Sequence, residues 1–382
     1  MKRHESCDVL VLGGGPAGSS CARRLREAGF DVLVMDKQDF PRDKVCAGWI
    51  TPAVVQTVRL DVDDYRRGGR VFQPIHGFLT GVEKHRQVRT SYGEPVSYGI
   101  RRCEFDHYLL ERSGARLALA QSLESLVREG SRWWVNERIE TPLIVGAGGH
   151  FCPVARHLGA RPGRAELSVT AQEIEFEMDE AQREACRIKG DIPELFFCED
   201  MKGYAWCFRK GDFLNIGLGR EGAHRLSSHT AAFRELLIRE GKISATTPAD
   251  FHGHAYLLYS SARRKVIDDG VLLVGDAAGL AYPQSGEGIR PAIESGLLAA
   301  DAIIAARGNY GKEQLRGYER ELSRRYGPRV TGPGLDRWLP EGARRRLAHW
   351  LLASRWFSRR VVLERWFLHV HEKPLVVPAA LP

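Results

Sequence analysis

The chain has 382 residues, of which 43% are hydrophobic and 27% are charged, and its formal net charge is +8. This composition is typical of a folded enzyme and excludes intrinsically disordered and collagen-like proteins. The length is sufficient for two domains that share a cleft.

The cysteines and the N-terminus indicate the compartment. The eight cysteines are scattered, and none forms a C-x-x-C pair that would suggest a metal or dithiol site. The first residues lead directly into a predicted strand, without the apolar stretch of a signal peptide. No segment reaches the roughly 18 to 20 apolar residues that a membrane helix requires. We therefore predict a cytoplasmic protein with reduced thiols, no metal site and no nucleic-acid partner.

A strand, a glycine turn and a helix follow one another near the N-terminus. Residues 7–12 read as a buried parallel strand, residues 13–18 have the sequence G-G-G-P-A-G, and residues 17–28 read as a helix. Glycines in such a turn allow a tight bend, a close approach to a pyrophosphate and close packing of helix on strand. The unpaired N–H groups of the helix N-terminus favour phosphates.

A second strand, residues 31–35, ends in an acidic residue that can accept hydrogen bonds from an adenosine ribose. Together with the glycine turn, this acid predicts a dinucleotide-binding site. The predicted contacts in this half of the site are Gly13, Gly15, Pro16, Ala17, Gly18, Asp36 and Lys37.

Two aromatic and glycine-rich segments lie further along the chain. Residues 44–52 have the sequence K-V-C-A-G-W-I-T-P, which places Cys46 and Ala47 on a loop before a glycine. Most free cysteines are small buried residues, so Cys46 is either inert or a proton donor at the site. Tyr204, Trp206 and Phe208 alternate on one predicted strand and face the same side. They form either an aromatic wall for an apolar substrate or part of a sheet core.

The segments that follow a third strand, residues 271–274, indicate which dinucleotide is bound. It is followed by G-D-A-A-G and, after Pro283, by G-E-G-I at the start of a helix. Asp276 can accept from a ribityl hydroxyl, and the helix N-terminus suits the negative charge of a reduced flavin. Two such distant segments favour an extended FAD over NAD. The predicted contacts in this second half are Gly275, Asp276, Gly286, Gly288 and Ile289.

The basic residues are most frequent near the C-terminus, where arginines alternate with Trp350, Trp356 and Trp366. This pattern is consistent with a solvated helical surface whose aromatic residues pack on the core. It is also consistent with an interfacial helix attracted to anionic lipid.

On these motifs the chain resembles the FAD-dependent flavoprotein superfamily of aromatic hydroxylases, flavin halogenases and geranylgeranyl reductases, over residues 5 to about 310. In that superfamily an arginine ahead of a Phe-Asp pair contacts the cofactor, which implies this role for Arg102 before Phe105-Asp106. The cysteine loop at residues 44–52 and the Y-x-W-x-F segment followed by G-x-G resemble the geranylgeranyl reductase branch, which hydrogenates isoprenoid double bonds. In that branch the cysteine loop lies beside the flavin, which implies that Cys46 and Ala47 contact the cofactor.

Three departures from the superfamily patterns accompany this resemblance. Gly148 stands where the hydroxylases have an acid associated with FAD and NAD(P)H contacts, which argues against direct nicotinamide binding. Arg209 stands where the reductase branch often has proline. The halogenase string W-x-W-x-I-P is replaced at Tyr204, Phe208 and Arg209, which disfavours halogenation.

We predict an α/β fold with a Rossmann-like FAD-binding domain, a mixed-sheet substrate domain and a helical C-terminal region. The FAD-binding domain is discontinuous. It takes residues 1–60, 98–160 and 260–310, the substrate domain takes 61–97 and 161–259, and the helical region takes 311–382.

The predicted function is reduction of carbon–carbon double bonds in an apolar, isoprenoid or polyene-like substrate, with Cys46, Tyr204 and Trp206 as catalytic candidates. An external donor, NAD(P)H or a ferredoxin, supplies the electrons. Two alternatives remain open: a monooxygenase that hydroxylates or epoxidises its substrate, and a non-enzymatic flavin-containing electron-transfer partner. The predicted location is cytoplasmic, with peripheral membrane contact through the C-terminal region as a further hypothesis.

Overall fold

The computed structural model describes residues 4–162, 166, 168–222, 225–328 and 340–377. Within these ranges the chain forms four β-sheets flanked by helices. Residues 329–339 and 378–382 of the predicted C-terminal region lie outside the described residues.

A six-stranded sheet forms the centre of the first half of the molecule. Its strands Val9–Leu12 and Val32–Met35 are buried along their whole length, as expected of apolar runs covered on both faces. All neighbouring strands are parallel except Ile267–Asp268, which is antiparallel. In spatial order the strands are Ile267–Asp268, Val271–Leu273, Ile144–Gly146, Val9–Leu12, Val32–Met35 and Arg116–Ala118.

Two long helices, Pro16–Glu27 and Ile289–Ala305, pack closely against each other beside this sheet. A Cβ at Gly296 would lie 2.2 Å from the carbonyl oxygen of Ala17, so the close approach requires glycine. Each of these helices begins directly after a glycine segment that the sequence predicts for the cofactor. Their packing therefore brings the two halves of the predicted site together.

A seven-stranded mixed sheet forms the second half of the molecule. Ala205 and Cys207 pack with helix Leu226–Arg239 on one face, and Trp206 and Phe208 pack on the other. This arrangement follows from the two-residue period of a strand. In spatial order the strands are His252–Tyr256, Val169–Glu177, Phe213–Glu221, Gly203–Lys210, Glu194–Phe197, Gly77–Val82 and Val88–Ser91.

The other strands form two smaller sheets. One is formed by Trp49–Ile50, Ser97–Ile100 and Phe72–Ile75, and it connects the cysteine loop to the larger sheets. The other contains Glu5–Ser6, Ile139–Thr141, Arg132–Val135 and Leu126–Glu129. The remaining short helices are Pro52–Thr57, Val62–Arg67, Arg102–Glu111, Pro153–His157 and Glu180–Ala185.

The described C-terminal residues are mostly helical. Helix Lys312–Tyr326 packs on Ile289–Ala305, whereas Glu341–Leu352, Arg355–Phe357 and the π-helical turn Ser358–Phe367 lie near the seven-stranded sheet. Val362, Leu363 and Phe367 are fully buried there. In the part of the chain that the structure describes, no helix combines the length and apolarity needed to cross a bilayer.

The α/β fold class predicted from the sequence, with a Rossmann-like parallel sheet and a mixed sheet, is confirmed. The strands of the six-stranded sheet come from residues 9–146 and 267–273, and those of the seven-stranded sheet come from 77–91 and 169–256. The assignment of residue ranges to separate domains stays a prediction.

Candidate functional site

A cleft of about 1050 Å³ lies between the six-stranded and the seven-stranded sheet. Small-molecule pockets usually measure about 300–1,000 Å³, so this cleft has room for a large cofactor and part of a substrate. Every site residue predicted from the sequence lines it except Gly18 and Gly275. Gly18 instead packs against the carbonyl of Gly13, and Gly275 donates its N–H to Ser295 Oγ at 2.9 Å.

The glycine turn has the geometry that close backbone packing requires. Gly13 has a φ of 119°, and a Cβ there would lie 2.3 Å from the carbonyl oxygen of Ala147. A Cβ at Gly18 would lie 1.9 Å from the carbonyl oxygen of Gly13. Gly15 is the N-cap of helix Pro16–Glu27 and offers no capping side chain. The helix N-terminus is thus suited to an anion in the cleft.

Asp36 is held rigidly at the end of its strand. Its Oδ2 accepts a hydrogen bond from Gly14 N at 2.7 Å, and its Oδ1 accepts one from Gln38 N at 2.9 Å. Each carboxylate oxygen has capacity for a further donor, so a ribose hydroxyl can still be bound. Lys37 lines the same end of the cleft.

Arg102 contributes positive charge beside the glycine turn. Its guanidinium makes a bidentate pair with the Asp106 carboxylate, with both N–O distances 2.8 Å. Burial opposes its charge, but Asp106 outweighs this effect and the pKa of Arg102 is raised. Arg42 also reaches Asp106, at 3.4 Å. Two guanidiniums and one carboxylate leave net positive charge, which favours a pyrophosphate nearby.

Asp276 lines the cleft and has two basic neighbours. His254 Nε2 is 3.3 Å from Asp276 Oδ2, and Lys44 Nζ is 2.7 Å from His254 Nε2 and 3.0 Å from its Nδ1. Burial lowers the pKa of His254, so its ring is neutral at neutral pH and lies between the Lys44 ammonium and the Asp276 carboxylate.

The charges of this trio follow from their surroundings. Burial disfavours the charge of Asp276, but the hydrogen bond from His254 and the cations Lys44 and Arg102 outweigh it and lower its pKa to about 2. Burial lowers the pKa of Lys44 to about 8. At neutral pH the site therefore holds an ionised Asp276 and a largely protonated Lys44.

The segment before helix Ile289–Ala305 forms the last part of the cleft. Gly286 has a φ of 66°, and a Cβ there would lie 2.3 Å from Tyr256 Oη. Gly288 is the N-cap of the helix and has no capping side chain, and the preceding Glu287 accepts from one first-turn N–H, that of Arg290, through Oε1 at 2.7 Å. This second helix N-terminus faces the cleft and suits the anionic side of a reduced flavin.

The aromatic strand forms an apolar wall that continues from this helix N-terminus. Tyr204, Trp206 and Phe208 line the cleft, and Phe208 stacks on Trp49 with ring centroids 5.1 Å apart. Phe367 packs on Tyr204, also at 5.1 Å. The same residues belong to a buried hydrophobic cluster. The sequence leaves open whether these aromatic residues line a pocket or belong to the sheet core. In the structure they do both.

The Cys46 loop closes the cleft between the wall and the cofactor segments. Cys46 is half-buried and lines the cleft, and its Sγ accepts from Gly48 N at 3.4 Å. Gly48 has a φ of 64°, and its Cβ would lie 2.4 Å from Lys210 Nζ. The loop therefore rests directly on the seven-stranded sheet.

Sequence reasoning missed several residues at this site. Lys44 lies within the cysteine loop, but its contact with His254 joins segments 210 residues apart. Glu173 and Asn215 contact the Cys46 backbone from neighbouring strands. A polar residue amid the apolar strand Phe213–Glu221 is the one local signal for Asn215.

The cleft fits FAD on the features of this chain alone. It has two glycine-lined helix N-termini, two fixed carboxylates and an arginine cluster beside the first turn. Asp36, Gly13 and Gly15 would hold the adenosine and pyrophosphate, and Asp276 with Gly286 and Gly288 would hold the ribityl chain and ring.

Comparisons with known proteins support this arrangement. A family model described as an NAD(P)-binding Rossmann-like domain matches residues 11–80. The chain is 26% identical over 339 residues to digeranylgeranylglycerophospholipid reductase of Methanocaldococcus jannaschii, covering 84% of this chain and 83% of the relative. It is 30% identical over 326 residues to menaquinone reductase of Mycobacterium tuberculosis, covering 79% of this chain and 78% of the relative.

A solved structure shares the fold. The geranylgeranyl bacteriochlorophyll reductase-like protein of Thermoplasma acidophilum superposes with a TM-score of 0.71 at 21% identity, covering 92% of this chain and 88% of that one. The match to relatives over most of their length agrees with the family resemblance of the motifs. The chain belongs to the geranylgeranyl reductase-like branch of the FAD-dependent flavoproteins and is an FAD-dependent oxidoreductase.

Proposed function

We propose that this enzyme saturates carbon–carbon double bonds in the isoprenoid chain of a lipid. The two relatives are named for the reduction of a digeranylgeranyl phospholipid and of menaquinone, both of which carry isoprenoid chains. A common requirement of these substrates is an apolar surface beside the flavin. The aromatic wall of this chain meets that requirement.

One observation carries the proposal. The hydroxyl of Tyr204 donates to the carbonyl oxygen of Ser285 at 2.5 Å, directly before the Gly286 turn. The apolar wall and the segment suited to the flavin ring are thereby joined by a hydrogen bond. An alkene lying on the wall would have its reacting carbons beside the ring, which is the proximity that hydride transfer needs.

The chemistry divides between the cofactor and the chain. Reduced FAD supplies a hydride when bound. Tyr204, Trp206 and Phe208 bind the alkene and exclude water from it. Saturation then needs one proton at the other carbon, and we assign Cys46 as the group that holds or positions this proton. Asp276 would accept from the ribityl chain and so orient the cofactor, and the helix N-terminus at Gly288 would favour the anionic form of the ring.

The electrons come from an outside donor. Gly148 lacks the carboxylate that the hydroxylases have at this position, so we propose that the donor acts without a lasting nicotinamide complex. Anaerobic reduction of the FAD-loaded enzyme by NADH, NADPH and a reduced ferredoxin, followed by stopped-flow absorbance, would identify it. Reduction by ferredoxin faster than by either nucleotide is the expected result, and a stable NAD(P)H complex would contradict it.

The alkene reaction is tested separately from the donor. FAD-loaded enzyme is reduced chemically without oxygen and mixed with a digeranylgeranyl phospholipid or with menaquinone. We expect the flavin to be reoxidised and the lipid to gain a hydride and a proton for each bond reduced. Fragment mass spectrometry should locate the added hydrogens in the isoprenoid chain, because reduction of the quinone ring of menaquinone gives the same mass change. If the isoprenoid chain of neither lipid gains hydrogen, the proposal is refuted.

Oxygen distinguishes the alternative. A monooxygenase of the same fold would show oxygen uptake driven by NAD(P)H, stimulated by substrate, and an oxygenated product. We expect neither with this chain. An oxygen-containing lipid product would replace the reductase proposal with the monooxygenase one.

We also propose that the enzyme contacts an anionic membrane through its C-terminal helices, where its lipid substrate resides. Trp350 and Trp356 are 69% and 66% exposed, beside Arg345, Arg346 and Arg355. Exposed tryptophans among arginines are typical of an interfacial contact with anionic lipid. Trp366 and Phe367, a little further along, pack at the aromatic wall, so this surface lies next to the substrate side of the cleft.

Vesicle flotation tests the membrane contact. The FAD-loaded enzyme should float with phosphatidylglycerol vesicles and much less with phosphatidylcholine vesicles, and added salt should release it. The double variant Trp350→Ala/Trp356→Ala should lose flotation, whereas Leu117→Ala, an exposed residue elsewhere, should retain it. Equal flotation of the two variants would refute the contact.

A further inference from the structure

A cluster of buried polar side chains lies beneath the Cys46 loop, and none of its members is among the residues that the sequence predicts. We call it the Asn215 cluster, and it consists of Glu173, Glu175, Lys210 and Asn215. Asn215 is 0% exposed, Lys210 is 1% exposed and Glu173 is 7% exposed. Burial of this many polar groups next to an aromatic wall costs free energy unless the groups are paired and hydrogen-bonded.

Asn215 connects the two sides of the site. Its Oδ1 accepts from Trp206 Nε1 at 2.7 Å, and its Nδ2 donates to the carbonyl oxygen of Cys46 at 3.1 Å. The same Nδ2 is 3.2 Å from Glu173 Oε2 and from Glu175 Oε1. The indole on one side and three acceptors on the other fix the orientation of the amide. One side chain therefore links the aromatic wall to the cysteine loop.

Glu173 binds the backbone N–H of the same residue, Cys46. Its Oε2 accepts from Cys46 N at 2.6 Å. Cys46 is thus bound through both its N–H and its carbonyl to side chains of the seven-stranded sheet. Backbone groups of a loop are usually satisfied by water or by local turns, and a double side-chain contact restricts the loop far more.

Glu175 and Lys210 also help to hold the Cys46 loop in place. Lys210 Nζ donates to Glu175 Oε1 at 2.6 Å and to the carbonyl oxygen of Ile100 at 2.9 Å. The amide of Ile100 in turn donates to the carbonyl oxygen of Gly48 at 2.8 Å. The cluster therefore holds the loop at Cys46 and again at Gly48. A fully satisfied network of this kind gives the loop a single position.

We propose that Glu173 and Asn215 are positioning residues that hold the Cys46 peptide and the Trp206 indole in one fixed arrangement facing the reacting double bond. This inference rests on the proposed function for the role of Cys46, but the positioning itself does not depend on turnover. Neither residue touches the cleft, so each acts through its partner. Reaction geometry is sensitive to shifts of about 1 Å, which is the kind of shift that this arrangement prevents.

Thiol alkylation measures the position of Cys46 directly. The FAD-loaded enzyme is treated with iodoacetamide, and peptide mass spectrometry gives the rate at Cys46 relative to Cys103, the other half-buried thiol. Glu173→Ala removes the acceptor of Cys46 N, so the loop opens more often and the relative rate should rise about tenfold or more. Glu173→Gln keeps an oxygen acceptor and should stay within about twofold of wild type.

Glu177→Ala is the matched control, because Glu177 lies on the same strand but is exposed. It should leave the Cys46 rate unchanged. An unchanged relative rate in Glu173→Ala would overturn the proposal. So would an increase in Glu173→Gln equal to that in Glu173→Ala, since the retained acceptor would then have no effect.

Hydrogen exchange in the wild-type protein covers the case in which Glu173→Ala does not fold. The amide of Cys46 should exchange about a hundredfold or more slowly than in an unfolded peptide, although it lies in a loop. Exchange at the unprotected rate would overturn the proposal without any variant.

Kinetics then separate positioning from mere stability. Asn215→Ala and Glu173→Ala should lower kcat with little change in KM, because the aromatic wall still binds the lipid, and Glu173→Gln should restore kcat. An enzyme that reduces no isoprenoid would refute the proposed function, yet the alkylation and exchange results would still decide whether the cluster holds Cys46.

Discussion

The hydroxyl of Tyr204 donates to the carbonyl oxygen of Ser285 across 2.5 Å, and this bond joins the seven-stranded sheet to the start of helix Ile289–Ala305. Burial also raises the pKa of Tyr204 well above its ordinary value, so the phenol remains a donor at every working pH. The bond sets the distance between the apolar wall and the ring end of the cleft.

Tyr204→Phe keeps the ring and removes only this donor. The free energy of unfolding should fall by about 1 kcal/mol, as for loss of a single hydrogen bond, and KM for the lipid should change little. Tyr204→Ala also removes the ring and its contact with Phe367, so it should raise KM for the lipid above that of Tyr204→Phe. Urea denaturation and steady-state kinetics check both. Equal KM values for the two variants would contradict a role of the ring in substrate binding.

Asp276→Asn removes the carboxylate at the ring end of the cleft. Because Asp276 has a pKa of about 2, it is ionised throughout the working range, and its loss should weaken FAD binding at every pH above about 4. We expect the Kd for FAD to rise about tenfold or more, as read by flavin fluorescence. Asp250→Asn, at an exposed position, serves as the control. Unchanged FAD affinity in Asp276→Asn would exclude this contact.

Lys44 should make the flavin potential depend on pH. Its pKa of about 8 lies below the ordinary lysine value because of burial, so its positive charge is lost as the pH rises through about 8. Below that pH the ammonium stabilises the negative charge of reduced flavin. The midpoint potential of wild type should therefore fall more steeply above pH 8 than that of Lys44→Met, as measured by dye-linked titration. The exposed Lys202→Met should behave as wild type, and parallel curves for Lys44→Met and wild type would contradict the prediction.

Glu173 should make stability depend on pH in a direction unusual for a carboxyl group. Burial and the neighbouring charge of Glu175 raise its pKa to about 8, although Lys210 and Asn215 oppose this. Between about pH 4.5 and 8 the unfolded chain has lost this proton and the folded chain retains it, so stability falls as pH rises, by at most about 1.4 kcal/mol per unit. His252 is the cross-strand neighbour of Glu173 and is exposed.

Glu173→Gln has no carboxyl group to titrate at this position. The free energy of unfolding of the variant minus that of wild type should therefore increase steadily from pH 5 to pH 8. Urea denaturation at several pH values measures the difference. Every other titratable group is present in both proteins, so the comparison isolates Glu173. A difference that does not vary with pH would show that Glu173 is ionised at neutral pH.

Gly48→Ala tests how closely the cysteine loop packs against Lys210 and Ile100. A Cβ at Gly48 would lie 2.4 Å from both Lys210 Nζ and the carbonyl oxygen of Ile100, at a φ of 64°. The substitution should lower the free energy of unfolding by about 1–3 kcal/mol and lower kcat. Gly93→Ala, where a Cβ meets open space, is the control for thermal denaturation and kinetics. A Gly48→Ala enzyme as stable and active as Gly93→Ala would contradict the close packing.

The sequence by itself determined the features that depend on neighbours along the chain. The strand, glycine turn and helix at residues 7–28 are contiguous, so their order alone predicts the dinucleotide fold. Tyr204, Trp206 and Phe208 share a face because a strand repeats every two residues. The α/β class and the reductase family follow from such local patterns, which need no knowledge of how distant segments meet.

Only the tertiary structure decided which distant side chains meet. Glu173 reaches Cys46 across 127 residues of sequence, Asn215 reaches it across 169, and Lys44 reaches His254 across 210. These contacts depend on the order and register of strands in the seven-stranded sheet and on the path of the loop across it. A local hydrophobic pattern specifies that a strand exists and which face is buried, but it does not specify which strand lies beside it.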